Sequence, residues 1–424
     1  MQFHHFLLQL RPLQSIKEHV MKSKSLFYLI LLTLFVSLSP PMHAQTYSVL
    51  HEFTANYFSP WAGVTIRGSA LFGTLNNAPN CGTVYQLTHS GSNWLFSTIA
   101  APTNGCNPAG RVVFGPDGHL YGATAGISYG PWGDVFKLTP QSGPCRDVAC
   151  YWTVDDLHDF GSGTDGRNPG GGDLIWDQQG NMYGTTMGGG TSGLGAVYEL
   201  TPSGNGYTES VLYSFSGGFD GEDPSSGLVF DNKDNLYGTT AFGGGGAGTI
   251  YELTYVPGIG WTEHVLYSFQ NGNDGRYPGG GLIFDSAGNL YGTTSDGGSG
   301  GAGTVFELSP SGDTWTFKLL YSFSGQSYCG CGPRAALTMD GTGNLYGTTY
   351  AIGINELGNV FKLSNTQNGW VYTSLHDFNV TDGMRPVSNV SIDADGTMYG
   401  TTTGGGDLNC NGGAGCGVVW MIKP

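Results

Sequence analysis

The pentapeptide Leu-Tyr-Gly-Thr-Thr and its close variants recur along the chain, and this repetition restricts the fold more than any other feature. The aromatic residue of the copies lies at seven positions: Phe72, Tyr121, Tyr183, Tyr237, Tyr291, Tyr346 and Tyr399. Successive copies are 49 to 62 residues apart, and four of the six intervals are 53 to 55 residues. Self-similarity with this period is typical of solenoids, propellers and other arrays, in which each repeat is one supersecondary unit.

The unit at residues 281–323 shows the internal organisation of one repeat. It contains four short runs rich in β-branched and aromatic residues, at 281–285, 290–294, 304–308 and 315–323. Glycine, asparagine, aspartate or proline separates the runs, which is typical of antiparallel strands joined by turns. Four strands in about 54 residues is the size of a propeller blade. We therefore predict an all-β fold, a seven-bladed β-propeller of four-stranded antiparallel blades.

The two ends of the chain predict how the ring closes. After Tyr399 only one further strand follows, at residues 417–424, so the seventh unit lacks its fourth strand. Residues 46–53, Thr-Tyr-Ser-Val-Leu-His-Glu-Phe, align with the fourth strand of another unit at residues 262–269. Pairing the N-terminal strand with the C-terminal blade would close the ring and remove the exposed sheet edges that favour aggregation.

Residues 1–44 have the features of a secretory signal peptide, with Met21 as an alternative start. Two lysines precede an apolar run at residues 26–38, and the small residue Ala44 lies at the expected cleavage point. The run is too short to span a bilayer comfortably. We therefore expect a secreted or extracellular protein, with the periplasm or the cell surface as alternatives. It would consist of one propeller domain at residues 45–424, without membrane insertion.

The part of the chain after residue 44 is acidic and contains all eight cysteines. Removing residues 1–44 takes away four basic residues and one acidic residue, which changes the net charge from −16 to about −19. A nucleic-acid partner is not expected, because binding a phosphate backbone requires clustered basic residues. An even number of cysteines in an exported protein predicts disulfides. The expected pairs are Cys81–Cys106, Cys145–Cys150 and Cys410–Cys416, and the pairing of Cys329 and Cys331 stays open.

Three phrases recur nearly intact between residues 172 and 323: Gly-Leu-Ile-Phe-Asp, Gly-Asn-Leu-Tyr-Gly-Thr-Thr and Gly-Thr-Val-Phe-Glu-Leu. This run resembles the GloVer-type tandem repeat of secreted bacterial proteins, and the resemblance covers essentially all of residues 45–424. It implies an array of propeller-like repeats. It implies no particular activity and transfers no functional residues to this chain.

Aspartates recur at two positions of the repeat, and both predict turns. The first set ends the first strand and is expected to cap the turn that follows; it comprises Asp177, Asp231, Asp285, Asp340 and Asp393. The second set lies in the loops that lead into the innermost strands and comprises Asp165, Asp220, Asp274 and Asp382. Oxygen atoms in these loops would suit calcium. The spaced acidic ligands of a dedicated calcium loop are missing, so we expect ordinary turns and no cofactor.

Catalytic signatures are absent from suitable structural settings in this sequence. Residues 297–301, Gly-Gly-Ser-Gly-Gly, match a nucleophile elbow only formally, because they lie in a loop between two strands and not before a helix. His51, His158 and His376 occupy a position that holds tyrosine in other units. We interpret these three histidines as structural residues of the outer strand, and we expect neither catalytic residues nor a metal site.

Departures from the repeat indicate the face on which to look for function. The loops after the second and fourth strands lie on one face, and those of units six, seven, one and two depart from the short glycine-rich pattern. Aromatic rings on such loops can stack on sugars or anchor a protein partner. The candidate binding residues are Tyr57, Trp61, Tyr129, Trp132, Tyr328 and Tyr350. Simple packing of these rings beneath the longer loops is the alternative interpretation.

Two functions from different classes fit these observations. The first is a secreted, monomeric, non-catalytic binding or scaffolding propeller for an extracellular polysaccharide or a surface protein. The second is an enzyme, a lactonase-like hydrolase or a polysaccharide lyase, with its site at the mouth of the axial channel. The nearest non-repeated charged residues are Arg111, Asp173 and Arg334, and they form no recognisable catalytic set. The sequence favours the binding propeller over the enzyme and over a purely structural coat protein.

Overall fold

The computed structural model describes residues 45–424 with the exception of 56–58, 77–81, 92, 102–105, 109, 127–131, 142–150, 162, 205 and 326–328. Residues Tyr47–Lys423 form one compact unit. The signal peptide predicted at residues 1–44 lies outside the described residues and stays a prediction. Within the described ranges, no helix has the length and apolar character needed to cross a membrane.

The described residues form 29 strands and one short 3₁₀ turn at Asn411–Gly413. In chain order the strands are β1 Thr46–Glu52, β2 Thr65–Arg67, β3 Ala70–Leu75, β4 Thr83–Ser90, β5 Asn93–Ala100, β6 Val113–Phe114, β7 Leu120–Thr124, β8 Asp134–Thr139, β9 Thr153–Asp159, β10 Gly166–Pro169, β11 Ile175–Trp176, β12 Met182–Gly189, β13 Ala196–Ser203, β14 Gly206–Ser214, β15 Val229–Phe230, β16 Leu236–Thr240, β17 Thr249–Val256, β18 Gly260–Ser268, β19 Ile283–Phe284, β20 Leu290–Thr294, β21 Gly301–Ser311, β22 Thr314–Ser324, β23 Thr338–Met339, β24 Leu345–Thr349, β25 Asn359–Thr366, β26 Gly369–Asp377, β27 Ser391–Ile392, β28 Met398–Thr402 and β29 Val418–Lys423.

The strands form seven antiparallel sheets, one for each repeat, and we number these blades one to seven from β2 onward. Blade seven has the strand order β1-β29-β28-β27, so the N-terminal strand completes the C-terminal blade. This arrangement confirms the predicted seven-bladed propeller and its closure. Blade three contains a fifth segment that the four-strand repeat did not predict. The long strand β12 pairs with both β10 and β11 there.

The glycine of each pentapeptide lies beneath an aromatic ring of the neighbouring strand. A methyl group at Gly292 would lie 2.5 Å from Cζ of Phe306, its cross-strand partner. The same pairing recurs in every blade, as Gly73–Tyr85, Gly122–Phe136, Gly184–Tyr198, Gly238–Tyr251, Gly292–Phe306, Gly347–Phe361 and Gly400–Trp420. Because any larger side chain would displace the ring, this packing explains a glycine inside a strand.

A β-bulge accompanies this contact in blades one to six. In blade five the register between β21 and β22 shifts between Val305 and Phe306, which leaves Leu320 as the additional residue on β22. Equivalent shifts occur in the other five blades. A bulge bends the strand and increases its twist locally. Here it brings Leu320 against the apolar cluster between blades five and six.

The apolar cores lie between adjacent blades. Tyr237 of blade four packs in one cluster with Leu290 and Phe306 of blade five, and seven such clusters correspond to the seven junctions. Hydrogen bonds from the first threonine of the pentapeptide cross the same junctions. Thr239 Oγ1, for example, donates to the carbonyl of Pro278 at 2.8 Å. The equivalent donors are Thr74, Thr185, Thr293, Thr348 and Thr401.

Both sets of recurring aspartates accept hydrogen bonds from turn backbone. Asp285 Oδ1 accepts the N–H groups of Ala287 and Asn289 at 2.9 Å, and Oδ2 accepts the Tyr291 hydroxyl at 3.0 Å. The same capping is made by Asp177, Asp231, Asp340 and Asp393. In the second set Asp165, Asp220, Asp274 and Asp382 each accept a backbone N–H of the loop that precedes them. The structure thus contains the turns expected from the sequence.

Replacing Gly292 with alanine is expected to lower the free energy of unfolding by about 1–3 kcal/mol, because the added methyl group overpacks the contact with Phe306. Thermal or urea unfolding of the variant checks this. Gly341→Ala is the matched control, since nothing lies within 4 Å of a methyl group there and its φ is not positive. Equal stability of the two variants would contradict the packing argument.

Acidification is expected to remove stability at the capped turns. Burial alone would raise the pKa of Asp340, but hydrogen bonds from Asn344 and Thr342 hold it well below its ordinary value. A lowered pKa in the folded state stabilises the fold above the unfolded-state value of about 3.9, and this contribution is lost as the pH falls further. Asp340→Asn should therefore lower the Tm at pH 7, with a difference from the native chain that shrinks below about pH 4. The exposed Asp313→Asn is the control, and a pH-independent difference at Asp340 would exclude this mechanism.

Candidate functional site

A cavity of about 800 Å³, which we name the axial channel, lies at the centre of the ring and is lined by the innermost segment of every blade. Each inner segment contains one buried Leu or Val, which is Leu174 in blade three. The residue that precedes it defines one level of the channel lining. The seven residues at this level are Gly63, Arg111, Asp173, Gly227, Gly281, Ala336 and Asn389. Charged or amide side chains come only from blades two, three and seven. At this level the channel is therefore polar on the side of blades two, three and seven and lined by glycine and alanine on the side of blades four to six.

The charged pair in the channel is held tightly. Arg111 donates from Nε and Nη2 to the Asp173 carboxylate, and its Nη1 lies 3.4 Å from Ser391 Oγ. Burial alone would lower the pKa of the Arg111 guanidinium, but the charge and hydrogen bonds of Asp173 raise it above its ordinary value. Beside this pair, Asn389 Oδ1 occupies the position that a side chain at Gly63 would take. The structure thus joins two of the three charged residues that the sequence placed near the innermost strands.

A proline recurs at the same position of each repeat, before the inner segment. The residue that precedes this proline shows a second regularity, at the channel entrance. Six of these residues have a left-handed backbone with φ between 55° and 62°, although none is glycine: Ser59, Asn107, Asn168, Asp223, Tyr277 and Arg385. At Arg385 the N–H donates to Leu357 of the preceding blade at 2.7 Å, and the carbonyl accepts from Thr403. Because backbone bonds on both sides hold this conformation, the side chain can vary without loss of the scaffold.

Four exposed or half-buried residues at this entrance form what we name the rim cluster: Trp61, Arg334, Tyr350 and Arg385. The Arg334 guanidinium lies 3.7 Å from the centre of the Tyr350 ring, and that of Arg385 lies 6.0 Å from the same centre. Trp61 is 48% exposed and lines the channel together with Arg334. Both Trp61 and Arg334 directly follow the proline of their repeat.

A small disulfide loop positions Arg334. Cys329 and Cys331 are bonded to one another, with Cα atoms 5.1 Å apart, which resolves the pairing that the sequence left open. Arg334 Nε donates to the carbonyl of Gly330 inside this loop at 3.1 Å. The N–H of Tyr350 donates to Gly332 at 3.0 Å, so the loop and the aromatic ring are held together.

Trp132 lies apart from the rim cluster, at the junction of blades two and three. It is half-buried, packs against the apolar cluster there, and has the Arg167 guanidinium 5.6 Å from its ring centre. Both residues line a cleft of about 110 Å³ together with Asp165. The candidate binding residues therefore form two separate patches and not one continuous surface.

The remaining predicted residues have different outcomes. Tyr57, Tyr129 and Tyr328 lie outside the described residues, as do Cys81, Cys145 and Cys150. Cys106 is disulfide-bonded, and Cys410 is bonded to Cys416 as expected. His51, His158 and His376 do lie on outer strands, where His51 and His376 stack on aromatic rings of the outer strand of the next blade.

Sequence reasoning missed several exposed side chains on the same face. Arg385 was not recognised, and neither were the apolar residues Phe219, at 88% exposure, and Ile354, at 87%. Phe219 lies in a blade whose loops were considered regular. The variation of the pre-proline residue among otherwise similar repeats was a usable signal for Arg385.

The Arg111–Asp173 pair is expected to stabilise the channel wall. Asp173→Asn removes the counter-charge of a largely buried guanidinium, and we expect a loss of about 1–2 kcal/mol in the free energy of unfolding. A double-mutant cycle with Arg111→Gln measures the coupling, and additive losses would show that the two groups do not stabilise one another.

Comparisons with known proteins agree with this architecture. A family model described as the Gloeobacter/Verrucomicrobia repeat matches residues 149–263 and 245–424, which confirms the resemblance seen in the repeated phrases. No curated protein matches the chain.

Solved structures show similarity of fold alone. A putative 6-phosphogluconolactonase from Bacteroides fragilis NCTC 9343 is 13% identical, with 82% of this chain and 98% of that chain covered and a TM-score of 0.52. An ulvan lyase of a new polysaccharide lyase family is 11% identical, with 85% and 90% covered and a TM-score of 0.49. A putative 6-phosphogluconolactonase from Bacteroides uniformis ATCC 8492 is 12% identical, with 78% and 86% covered and a TM-score of 0.47.

Proposed function

The chain belongs to the Gloeobacter/Verrucomicrobia repeat family, and from this premise we propose that it is a secreted, non-catalytic binding propeller that recognises an acidic extracellular polysaccharide. The rim cluster at the channel entrance is the binding site in this proposal. The single observation that carries it is that two guanidinium groups, those of Arg334 and Arg385, lie against the ring of Tyr350. This grouping of positive charge occurs in a chain of net charge −16.

Arginine is distributed unevenly over the described residues. Five of the six described arginines belong to the channel or to its entrance face: Arg111, Arg167, Arg276, Arg334 and Arg385. Two of them are neutralised locally, since Arg111 pairs with Asp173 and Arg276 pairs with Asp296. Arg385 forms no ion pair with a carboxylate of the described residues, and it is exposed. Its charge is therefore available to a ligand.

The chemistry of the rim cluster suits a sugar acid. A guanidinium binds a carboxylate or sulfate through two parallel hydrogen bonds, and a guanidinium stacked on an aromatic ring is already oriented for this. Aromatic faces such as that of Trp61 pack against sugar rings. Uronic or sulfated sugars combine both features in one residue. A neutral glycan would leave the two arginines without a counter-charge.

The same geometry gives less support to an enzyme in the channel. Asp173 is the charged acid of the polar side, and both of its oxygens accept hydrogen bonds from Arg111. A carboxylate held in this way is a poor general base, because its lone pairs already have donors. The lactonase-like or lyase alternative would require another acid or base at the channel mouth.

Binding of acidic polysaccharides tests this proposal. The full chain should bind polygalacturonate or alginate in isothermal titration and should not bind neutral dextran. Arg385→Gln and Tyr350→Ala should each weaken binding at least about tenfold, the effect of losing one charge-assisted contact. The loss should be greater at low salt, because exposed charges are screened as salt rises.

Arg67→Gln provides a matched control for this experiment. Arg67 also lies over an aromatic ring, 4.3 Å from the centre of Phe114, but at the other end of the inner strand. The Arg67→Gln variant should bind polygalacturonate or alginate with unchanged affinity. Equal losses in Arg67→Gln and Arg385→Gln, or equal affinity for acidic and neutral glycans, would overturn the proposed role of the rim cluster.

A further inference from the structure

Blade junctions share a contact between outer strands. A ring near the end of the fourth strand of one blade contacts a residue on the fourth strand of the next blade. Along that next strand, the contacted residue lies four positions before the residue that is equivalent to the ring. Four junctions fill this contact with stacked rings, at 3.6 to 4.8 Å between ring centres. The stacked pairs are His51–Phe96, Tyr267–Phe317, Tyr321–Tyr372 and His376–Tyr47.

The junction of blades two and three replaces the stack with ionisable groups. His158 at the end of β9 occupies the ring position, and Glu209 of β14 takes the place of the stacking partner. Asp165, from the loop that follows β9, completes the group. One ligand atom from each of these three residues lies within 4.8 Å of the other two. His158 Nε2 and Asp165 Oδ1 are 3.6 Å apart.

Two of these atoms are buried without a hydrogen-bond partner in the described part of the chain. They are His158 Nε2 and Glu209 Oε1. The separation of 3.6 Å between His158 and Asp165 exceeds a hydrogen bond. Buried polar atoms left unsatisfied are costly, so their convergence on one point indicates a missing partner.

We propose that His158, Asp165 and Glu209 bind a divalent transition-metal cation of the zinc type, which links the outer strands of blades two and three. Metal–ligand distances of about 2.0–2.2 Å place the ligand atoms of a tetrahedral site about 3.4 Å apart. The distance between His158 and Asp165 is already close to this value. Asp165 also lines the cleft of about 110 Å³ beside Trp132.

The donor set selects the class of metal. An imidazole nitrogen combined with carboxylate oxygens suits Zn²⁺ and related ions, whereas Ca²⁺ and Mg²⁺ prefer oxygen ligands alone. The site is also independent of the rim cluster, since it uses none of the residues Trp61, Arg334, Tyr350 or Arg385. Failure of the polysaccharide proposal would therefore leave this one intact.

Two other junctions provide natural comparisons. Between blades three and four, Tyr213 takes the place of the histidine and donates its hydroxyl to Asp220 at 3.1 Å, although Glu263 faces it. Between blades six and seven, His376 lies 3.2 Å from Asp382, but Tyr47 stacks on the imidazole where the third ligand would be. Each of these junctions thus lacks one ligand of the set.

Zinc titration of the full chain, after treatment with a chelator, tests the proposal. The double variant His158→Tyr and Glu209→Phe rebuilds the stacked pair that Tyr267 and Phe317 form elsewhere, so we expect it to fold. It should bind one equivalent of Zn²⁺ less than the native chain in isothermal titration. It should also lose the increase in Tm that Zn²⁺ gives to the native chain.

Two further variants complete the design. His376→Tyr should retain the full number of Zn²⁺ equivalents, which accounts for nonspecific binding by other histidines. Glu209→Gln preserves shape and should still lose the equivalent, even if the double variant is unstable. The proposal is overturned if the native chain binds no more Zn²⁺ than Glu209→Gln. It is also overturned if Ca²⁺ raises the Tm as much as Zn²⁺ does at equal concentration.

Discussion

In every blade an aromatic ring of the third strand lies on a glycine of the second strand, and most of the architecture depends on this contact. Only glycine leaves room for the ring, and Phe306 above Gly292 shows how close the approach is. The β-bulge in the next strand accompanies the contact in blades one to six and brings an additional leucine or isoleucine, such as Leu320, to the junction. The same pentapeptide therefore determines packing within a blade and between blades. This dual role accounts for the persistence of Leu-Tyr-Gly-Thr-Thr through repeats that differ elsewhere.

Because backbone hydrogen bonds and buried contacts hold the scaffold, side chains on the entrance face are not required for the stability of the fold. The pre-proline residues illustrate this division. Tyr277 donates its N–H to Ala247 of the preceding blade and accepts from Ser295 of its own blade, as Arg385 does with Leu357 and Thr403. The left-handed conformation costs free energy for a bulky residue, yet these bonds maintain it. Residues as different as serine, asparagine, tyrosine and arginine can then occupy one geometric position, which makes the ring face a variable surface on a constant frame.

The repeat allowed much of this fold to be predicted, because it exposes strand boundaries, turn caps and the split seventh blade directly. The candidate site was less accessible to sequence reasoning. Arg334, Tyr350 and Arg385 are separated by up to 51 residues and meet only when blades six and seven pack together. Trp132 was recognised as a departure from the repeat, but its half-buried position against the apolar cluster between blades two and three follows from packing that periodicity does not encode. Repeats predict equivalent positions well and predict contacts between unequal positions poorly.

The junction of blades two and three combines several departures from the repeat, and together they have a physical logic. Six pentapeptides donate a threonine hydrogen bond to the next blade, whereas blade two has Ala123 at this position. The inner segment of blade three is one residue longer there, at residues 170–173, and Gly170 has a positive φ of 119°. The stacked rings of other junctions are also replaced, by His158 and Glu209. This junction therefore lacks both the threonine hydrogen bond and the stacked rings. A cation held by ligands from both blades would connect the two outer strands in their place. Without a cation, the replacement of the stack leaves buried charged groups facing each other.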